Sequence, residues 1–246
     1  MKTYGLIGFP LAHSFSEKYF SEKFRNESIK DCVYKNFPIS SVDKLPEVLA
    51  DTSLKGLNVT IPYKEQVITY LDELDPVAME IGAVNTIKVV RSENIIRLKG
   101  YNTDADGFLG SLQNILDFNP DSALILGTGG ASKAIVYVLN RLGIKSIKVS
   151  RNPATGDLAY NELTPDVIRN NLLIINTTPL GTYPGTENYP DIPYHLLTDR
   201  HLLFDLIYNP PETKFLKFGK GAGAKTVNGY GMLIRQAEES WKIWNE

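Results

Sequence analysis

Lys64 sits in the run Asn58-Val59-Thr60-Ile61-Pro62-Tyr63-Lys64-Glu65, where a strand-like segment meets a proline. Proline lacks an amide donor and biases its neighbour away from helix. The pattern therefore predicts a strand over 57–61 and a helix over 64–71, with an ammonium held out at the junction. A single lysine is more often a solvated stem than a ligand group. The polar residues that share its setting add weight. Ser14 and Ser16 stand two apart after a strand-like 4–8, Asn85 lies in Gly82-Ala83-Val84-Asn85-Thr86, and Asp104 in Gly100-Tyr101-Asn102-Thr103-Asp104-Ala105-Asp106-Gly107. Each has a plain alternative, since hydroxyls and carboxylates at helix starts commonly cap them. Together they offer hydroxyls, amides, a carboxylate and an ammonium, which suit a small polyhydroxylated acid.

A second chemical signal lies in Ala123-Leu124-Ile125-Leu126-Gly127-Thr128-Gly129-Gly130-Ala131-Ser132. A buried strand runs into a glycine turn and then a helix. Gly127 permits the tight turn, and Gly129 lets a pyrophosphate approach the backbone at a helix start formed by Gly130 and Ala131. Ser132 replaces the third glycine of the usual fingerprint, which bears on close helix–strand packing there. The next strand ends in Ser150-Arg151-Asn152 with no carboxylate to accept from a ribose 2′-hydroxyl. A guanidinium there suits a 2′-phosphate, which favours NADP over NAD.

The elements that must position these groups follow from periodicity. Strands are predicted over 4–8, 33–37, 56–61, 83–90 and 95–100, and helices over 14–26, 41–50, 64–71 and 106–116. After the Asn119-Pro120-Asp121 turn a new β-α-β series begins. It has strands over 123–126, 146–149, 172–176 and 202–206 and a helix over 131–142. Continuous apolar runs of this kind suit parallel strands buried on both faces. The fold class is α/β: an N-terminal α/β substrate domain over 1–105 and a doubly wound Rossmann-type domain over 106–229. A last amphipathic helix, 232–244, has no strand after it. The stretch 230–246 is expected to return to the first domain, with Trp241 and Trp244 as core contacts.

Composition excludes several classes. The 246 residues are 43% hydrophobic and 22% charged, ordinary for a globular protein, and a net charge of −2 gives no reason to expect nucleic acid or an anionic membrane. No apolar run approaches the roughly 20 residues of a membrane span. No signal peptide is expected at the N-terminus, and the single cysteine, Cys32, suits a reducing cytoplasm. Three scattered histidines make a protein-built metal site unexpected.

These motifs, GFPLAHSFS, NVTIPYKE, GAVNT, GYNTDADGF, ILGTGGASKA, NTTPLGTYP and NGYGMLIRQAEES, run in order from residue 5 to 240. In them the chain resembles the shikimate dehydrogenase family. The resemblance implies NADP-dependent, reversible reduction of 3-dehydroshikimate to shikimate, a step of chorismate and aromatic amino acid biosynthesis. It implies a substrate domain, an NADP-binding domain and a cleft between them. Lys64 and Asp104 match the catalytic pair. Ser14 and Ser16 match the hydroxyls that hold the substrate carboxylate, Thr60, Asn85 and Gln236 the groups on the ring hydroxyls or carboxylate, and Tyr208 a tyrosine near that carboxylate. Gly127, Gly129, Gly130, Ala131, Ser150, Arg151 and Thr177 match cofactor positions, and Gly229 and Met232 lie near the nicotinamide. Whether Lys64 donates a proton or anchors charge is open at this stage.

Three departures stand out. Glu17 replaces a usual proline, Thr182 a usual methionine, and Pro153-Ala154-Thr155 lacks the second basic residue of the phosphate clamp. A quinate/shikimate dehydrogenase of broader substrate and cofactor use, a reductase for another small carbonyl acid, and a non-catalytic nucleotide-binding homologue are the competing readings. Monomer and homodimer both fit.

Overall fold

Two six-stranded sheets organise the chain in a computed structural model that describes residues 1–11, 14–92, 95–152 and 154–246. They belong to two compact units: Met1–Thr103 with Ala237–Glu246, and Asp104–Gln236. The chain passes between the units at Thr103/Asp104 and at Gln236/Ala237.

In the first unit β1 (Lys2–Gly8), α1 (Phe15–Asn26), β2 (Cys32–Pro38), α2 (Leu45–Leu49) and β3 (Leu54–Val59) come first. They are followed by β4 (Glu73–Leu74), α3 (Pro76–Ile81), β5 (Thr86–Ser92) and β6 (Ile95–Tyr101). The sheet order is β2-β1-β3-β5-β6-β4. Alternation splits its side chains between two cores. Ile7, Leu57, Val59 and Ile87 join one core with Leu45, Val48 and Tyr63. Tyr4 and Leu6 join Phe20, Phe24, Tyr34 and Trp244 in the other. There the chain's last residues close the face: Trp244 stacks on Tyr4 at 5.0 Å between centroids and donates its indole N–H to Ile87 O at 3.0 Å. Lys23 of α1 adds an ion pair to Glu238 at 2.8 Å. Gly56 makes room for the indole, since a Cβ there would lie 2.2 Å from its nitrogen.

The second unit carries most of α4 (Thr103–Gln113), then β7 (Ser122–Leu126), α5 (Gly130–Arg141), β8 (Lys145–Ser150), β9 (Leu158–Ala159) and α6 (Pro165–Asn170). It continues with β10 (Leu173–Asn176), β11 (Leu202–Asp205), α7 (Lys214–Gly221), β12 (Lys225–Val227) and the start of α8 (Tyr230–Asn245). The order is β12-β11-β10-β7-β8-β9, and each of these pairings is parallel. The chain runs outward from β7 through β8 and returns to β10 on β7's other side. That is the doubly wound arrangement, with its switch point between β7 and β10.

Several boundaries differ from the sequence expectation. No α-helix forms over 64–71; a five-residue 3-10 helix, Gln66–Tyr70, replaces it, and Lys64 sits in the preceding turn. The chain must reach β6 directly afterwards, where Asp72 N donates to Leu98 O at 2.9 Å and Leu98 N to Asp72 Oδ2 at 2.7 Å. A 3-10 helix rises about 2.0 Å per residue against about 1.5 Å for α, so it spans that distance in fewer residues. β3 stops at Val59 and leaves Thr60 outside the ladder, and β5 starts only at Thr86. The expected helix over 41–50 is a 3-10 turn, Val42–Lys44, followed by α2, and the one over 106–116 is α4, shifted three residues earlier.

Candidate functional site

The predicted substrate groups of the first unit gather at one edge of its sheet. Ser14 and Ser16 follow β1, Thr60 and Lys64 follow β3, Asn85 precedes β5, and Thr103 follows β6. β1 and β3 are parallel, β5 is antiparallel to β3, and β6 is antiparallel to β5. The carboxyl ends of β1, β3 and β6 and the amino end of β5 therefore coincide.

Backbone bonds hold this edge together. Thr60 N donates to Ile7 O at 3.0 Å, and Phe9 N to Ile61 O at 3.1 Å. Gly8 permits the approach, because a Cβ there would lie 2.4 Å from Thr60 Cγ2. Tyr63 is buried and its hydroxyl donates to Ile39 O at 2.7 Å. Val84 N donates to Lys64 O at 2.8 Å, which ties the lysine's main chain to the residue beside Asn85. The Lys64 side chain is half-buried.

Ser14 occupies the N-cap position of α1 yet makes no capping bond through its side chain. Its Oγ is buried and has no hydrogen-bond partner among the described residues. A buried hydroxyl in that state costs free energy unless a ligand completes it, so the capping reading of Ser14 is corrected. Ser16 is half-buried in the first turn of α1, and Tyr34 is buried, which pushes its hydroxyl up in pKa. Glu17, at the place of the usual proline, lies in the first turn of α1 and accepts from Asn36 Nδ2 at 2.6 Å. Asn85 is buried and forked onto Thr103: Thr103 N donates to Oδ1 at 2.7 Å, and Nδ2 donates to Thr103 Oγ1 at 3.0 Å. Sequence reasoning passed over Thr103, although it stands beside Asp104 in the same motif. Ala12, His13 and Pro153 lie outside the described residues.

The second unit holds the remaining positions. Asp104 is buried in the first turn of α4. Tyr208 follows β11 and is half-buried, as is Gln236 on α8, whose Nε2 donates to Leu233 O at 3.0 Å. α4 crosses α8 closely at Gly107, where a Cβ would lie 2.8 Å from Met232 O and 3.2 Å from Gln236 Cβ.

Asp205, at the end of β11, accepts from Asn176 Nδ2, Ile207 N and Thr213 Oγ1 at 3.0, 3.1 and 2.5 Å. Burial nevertheless pushes its carboxyl from 3.8 up to about 6. A raised carboxyl pKa favours the fold most below the unfolded value, and that contribution is lost as pH rises through the folded value. Wild type is therefore expected to lose about 2 kcal/mol relative to Asp205→Asn between pH 4 and 6. Denaturant unfolding of both proteins across that range checks it; a constant difference would mean the three donors cancel the effect of burial, and a difference of opposite sign that they outweigh it.

The dinucleotide positions converge on the switch point of the second sheet. Gly127, just after β7, has φ of +108°, and a Cβ would lie 2.9 Å from both Thr177 Oγ1 and Thr178 Cγ2. Thr177, just after β10, donates its hydroxyl to Leu126 O at 2.8 Å. Gly129 caps α5 with nothing within 4 Å of its Cβ position, so the backbone there faces open space ahead of Gly130 and Ala131. Ser132 is buried and its Oγ donates back to Gly129 O at 2.6 Å. The close packing survives the missing glycine because the hydroxyl folds onto the turn. At the end of β8, Ser150 Oγ accepts from Asn152 N at 3.1 Å and lies 3.0 Å from Thr155 Oγ1, which leaves exposed Arg151 as the loop's one cation among the described residues. Crevices at such switch points take dinucleotides, with the pyrophosphate on the helix N-terminus. The residues present fit that group. Gly229 is buried against Leu206, just past β11, and Met232 is buried three residues further on, in α8. Among the described residues, no helix is long and apolar enough to cross a membrane, and no cluster of His, Cys, Asp and Glu is placed to hold a metal ion.

Residues 6–87 match a family model described as the shikimate dehydrogenase substrate binding domain. A shikimate dehydrogenase (NADP(+)) of Methanococcus vannielii is 40% identical over 263 residues, covering 98% of this chain and 90% of the relative. The crystal structure of shikimate dehydrogenase from Aquifex aeolicus superposes with a TM-score of 0.86 at 37% identity, over 100% of this chain and 92% of that one. The Thermus thermophilus enzyme, solved in complex with NADP(H) and shikimate, gives 0.84 at 30% identity, over 99% of this chain and 93% of that one.

Proposed function

The chain belongs to the shikimate dehydrogenase family, and on that footing we propose that it reduces 3-dehydroshikimate reversibly to shikimate with NADPH. The observation that carries this reading is the gathering of Ser14, Ser16, Thr60, Lys64 and Asn85 at one sheet edge, each inside a motif of the family. When bound, NADPH supplies the hydride. The protein binds the substrate, orients it and handles one proton. The Ser14 and Ser16 hydroxyls donate to the substrate carboxylate, with Tyr208 beside it. Thr60, Asn85 and Gln236 hold ring hydroxyls or carboxylate. As the carbonyl is reduced, negative charge develops on its oxygen, and the Lys64 ammonium donates to that atom. Asp104 accepts from the neighbouring hydroxyl and completes the pair. Gly127, Gly129, Gly130 and Ala131 receive the pyrophosphate, Ser150 and Arg151 the 2′-phosphate, and Thr177, Gly229 and Met232 the nicotinamide end.

Formation of NADPH from shikimate and NADP by the purified chain tests the reading, with quinate and NAD as comparison substrates. Turnover of shikimate with NADP supports it; absence of turnover with every pairing would leave a nucleotide-binding homologue. The loop has no second basic residue, so Arg151 supplies the positive charge of the 2′-phosphate contact alone, beside the Ser150 hydroxyl. Arg151→Ala is therefore expected to raise the KM for NADP by about 10- to 100-fold, the scale of a charge-assisted contact, and to leave the KM for NAD nearly unchanged. Equal changes for both cofactors would remove Arg151 from the phosphate site.

A further inference from the structure

A chain of buried hydrogen bonds runs through the first unit from Tyr34 to Asn85. Tyr34 donates its hydroxyl to Asn58 Oδ1 at 2.7 Å. Asn58 Nδ2 lies 2.9 Å from Ser240 Oγ, 3.2 Å from Thr86 Oγ1 and 3.3 Å from the main-chain oxygen of Asn85. Ser240 Oγ lies 2.7 Å from Thr86 Oγ1 and 3.2 Å from Thr103 Oγ1. Thr103 then forks onto Asn85. Both carboxamides have one possible orientation: Asn85 Oδ1 faces the Thr103 amide, and Asn58 Nδ2 faces a carbonyl. All six side chains from Tyr34 to Asn85 are buried.

Apolar side chains of similar volume would stabilise such a site about as well. What a fully paired polar network adds is a single orientation for its end groups. Here one end is Asn85, assigned above to the substrate. Ser240 is the junction, because its one oxygen meets Asn58, Thr86 and Thr103 together. It arrives from α8, 137 residues beyond Thr103 in sequence. We infer that Ser240 is a positioning residue for the proposed reaction, holding Thr103 and through it the Asn85 carboxamide in the orientation that receives the substrate ring. The inference rests on the substrate role of Asn85.

Steady-state kinetics of Ser240→Ala, Asn85→Ala and the double variant test it. Ser240→Ala is expected to raise the KM for shikimate about 10-fold, as for one lost hydrogen bond, with the KM for NADP within about 2-fold. In the Asn85→Ala background the same change is expected to add less than about 2-fold, because a residue acting through Asn85 has nothing left to position. Thr86→Val, which removes the adjoining hydroxyl at similar volume, is expected to mimic Ser240→Ala. It carries the same test, alone and with Asn85→Ala, if Ser240→Ala does not accumulate folded. An unchanged KM for shikimate, equal changes in both KM values, or an undiminished effect in the Asn85→Ala background would each overturn the inference. A wild-type protein inert toward shikimate would overturn the reaction itself; an active wild type with an unaffected Ser240→Ala overturns the positioning role alone.

Discussion

Lys64→Ala is expected to lower kcat for shikimate oxidation by about 10²- to 10⁴-fold, the range of a positioned acid–base group. The backbone around the lysine is held independently of its side chain, by Thr60 N on Ile7 O, Tyr63 on Ile39 O and Val84 N on Lys64 O. Truncation therefore removes the ammonium and leaves the turn in place. The unfolding midpoint is expected to stay close to wild type. Lys64→Arg separates two roles that sequence left open. A guanidinium keeps the charge but surrenders no proton in a protein. If Lys64 only anchors charge, the arginine variant retains much of kcat; if it transfers the proton, that variant is as slow as alanine. Near-full kcat in Lys64→Ala with only KM raised would reduce the residue to binding.

The parts of this fold legible in the sequence are those where one physical term dominates. Three inner strands of the second sheet, β7, β10 and β11, read directly because they are buried on both faces: Ala123–Leu126, Leu173–Asn176 and Leu202–Asp205 have no exposed position to break the apolar run. β12 does not, since Lys225–Val227 is an edge strand of three residues with half-exposed side chains. α3 shows the limit differently. Its start and stop signals were present, with Asp75 capping Val77 N, Pro76 at the first position and Gly82 at φ of +68°. Six residues are too few for a period of 3.6 to register, so the signals had no helix to bracket. α7 has Thr213 as its cap, on Leu216 N at 3.4 Å, yet it follows a proline pair that reads as loop.

The candidate site divides the same way. Motif by motif, its residues could be named from sequence, because each motif is a contiguous string. What joins them is not contiguous. Ser240 meets Thr86 across 154 positions and Asn58 across 182. No local pattern encodes such a pairing; burial of the α8 end against Tyr4 and Phe20 brings it about. Ser14 makes the complementary point. A serine before a helix reads as a cap, and only the fold turns its Oγ into a buried, unanswered donor.

Gly229→Ala is expected to be the most damaging change in a residue that carries no functional side chain. A Cβ at 229 would lie 2.0 Å from Leu206 O, 2.5 Å from its carbonyl carbon and 3.1 Å from its Cα. These are backbone atoms, so no rotamer relieves the overlap. Leu206 cannot retreat cheaply, because its N–H donates to Asn176 O at 3.0 Å and Ile207 N donates to Asp205 Oδ1 at 3.1 Å. The alternative is for the start of α8 to move. Gly229 N is bonded to Ile207 O and Gly229 O to Leu233 N, both at 2.9 Å, so that movement breaks a contact and carries Met232 and Gln236 with it. Overpacking typically costs about 1–3 kcal/mol, and an overlap against fixed backbone belongs at the upper end or beyond. At about 2–4 °C per kcal/mol for a chain of this size, the midpoint is expected to fall by roughly 6–12 °C. kcat/KM for shikimate is expected to fall at least about 10-fold with it, since displaced binding groups lose both affinity and alignment. Gly221→Ala is the control: nothing lies within 4 Å of its Cβ position, and it is expected to leave the midpoint unchanged or slightly raised. A Gly229→Ala protein that melts with the Gly221→Ala control and keeps wild-type kcat/KM would show that α8 does not depend on this contact.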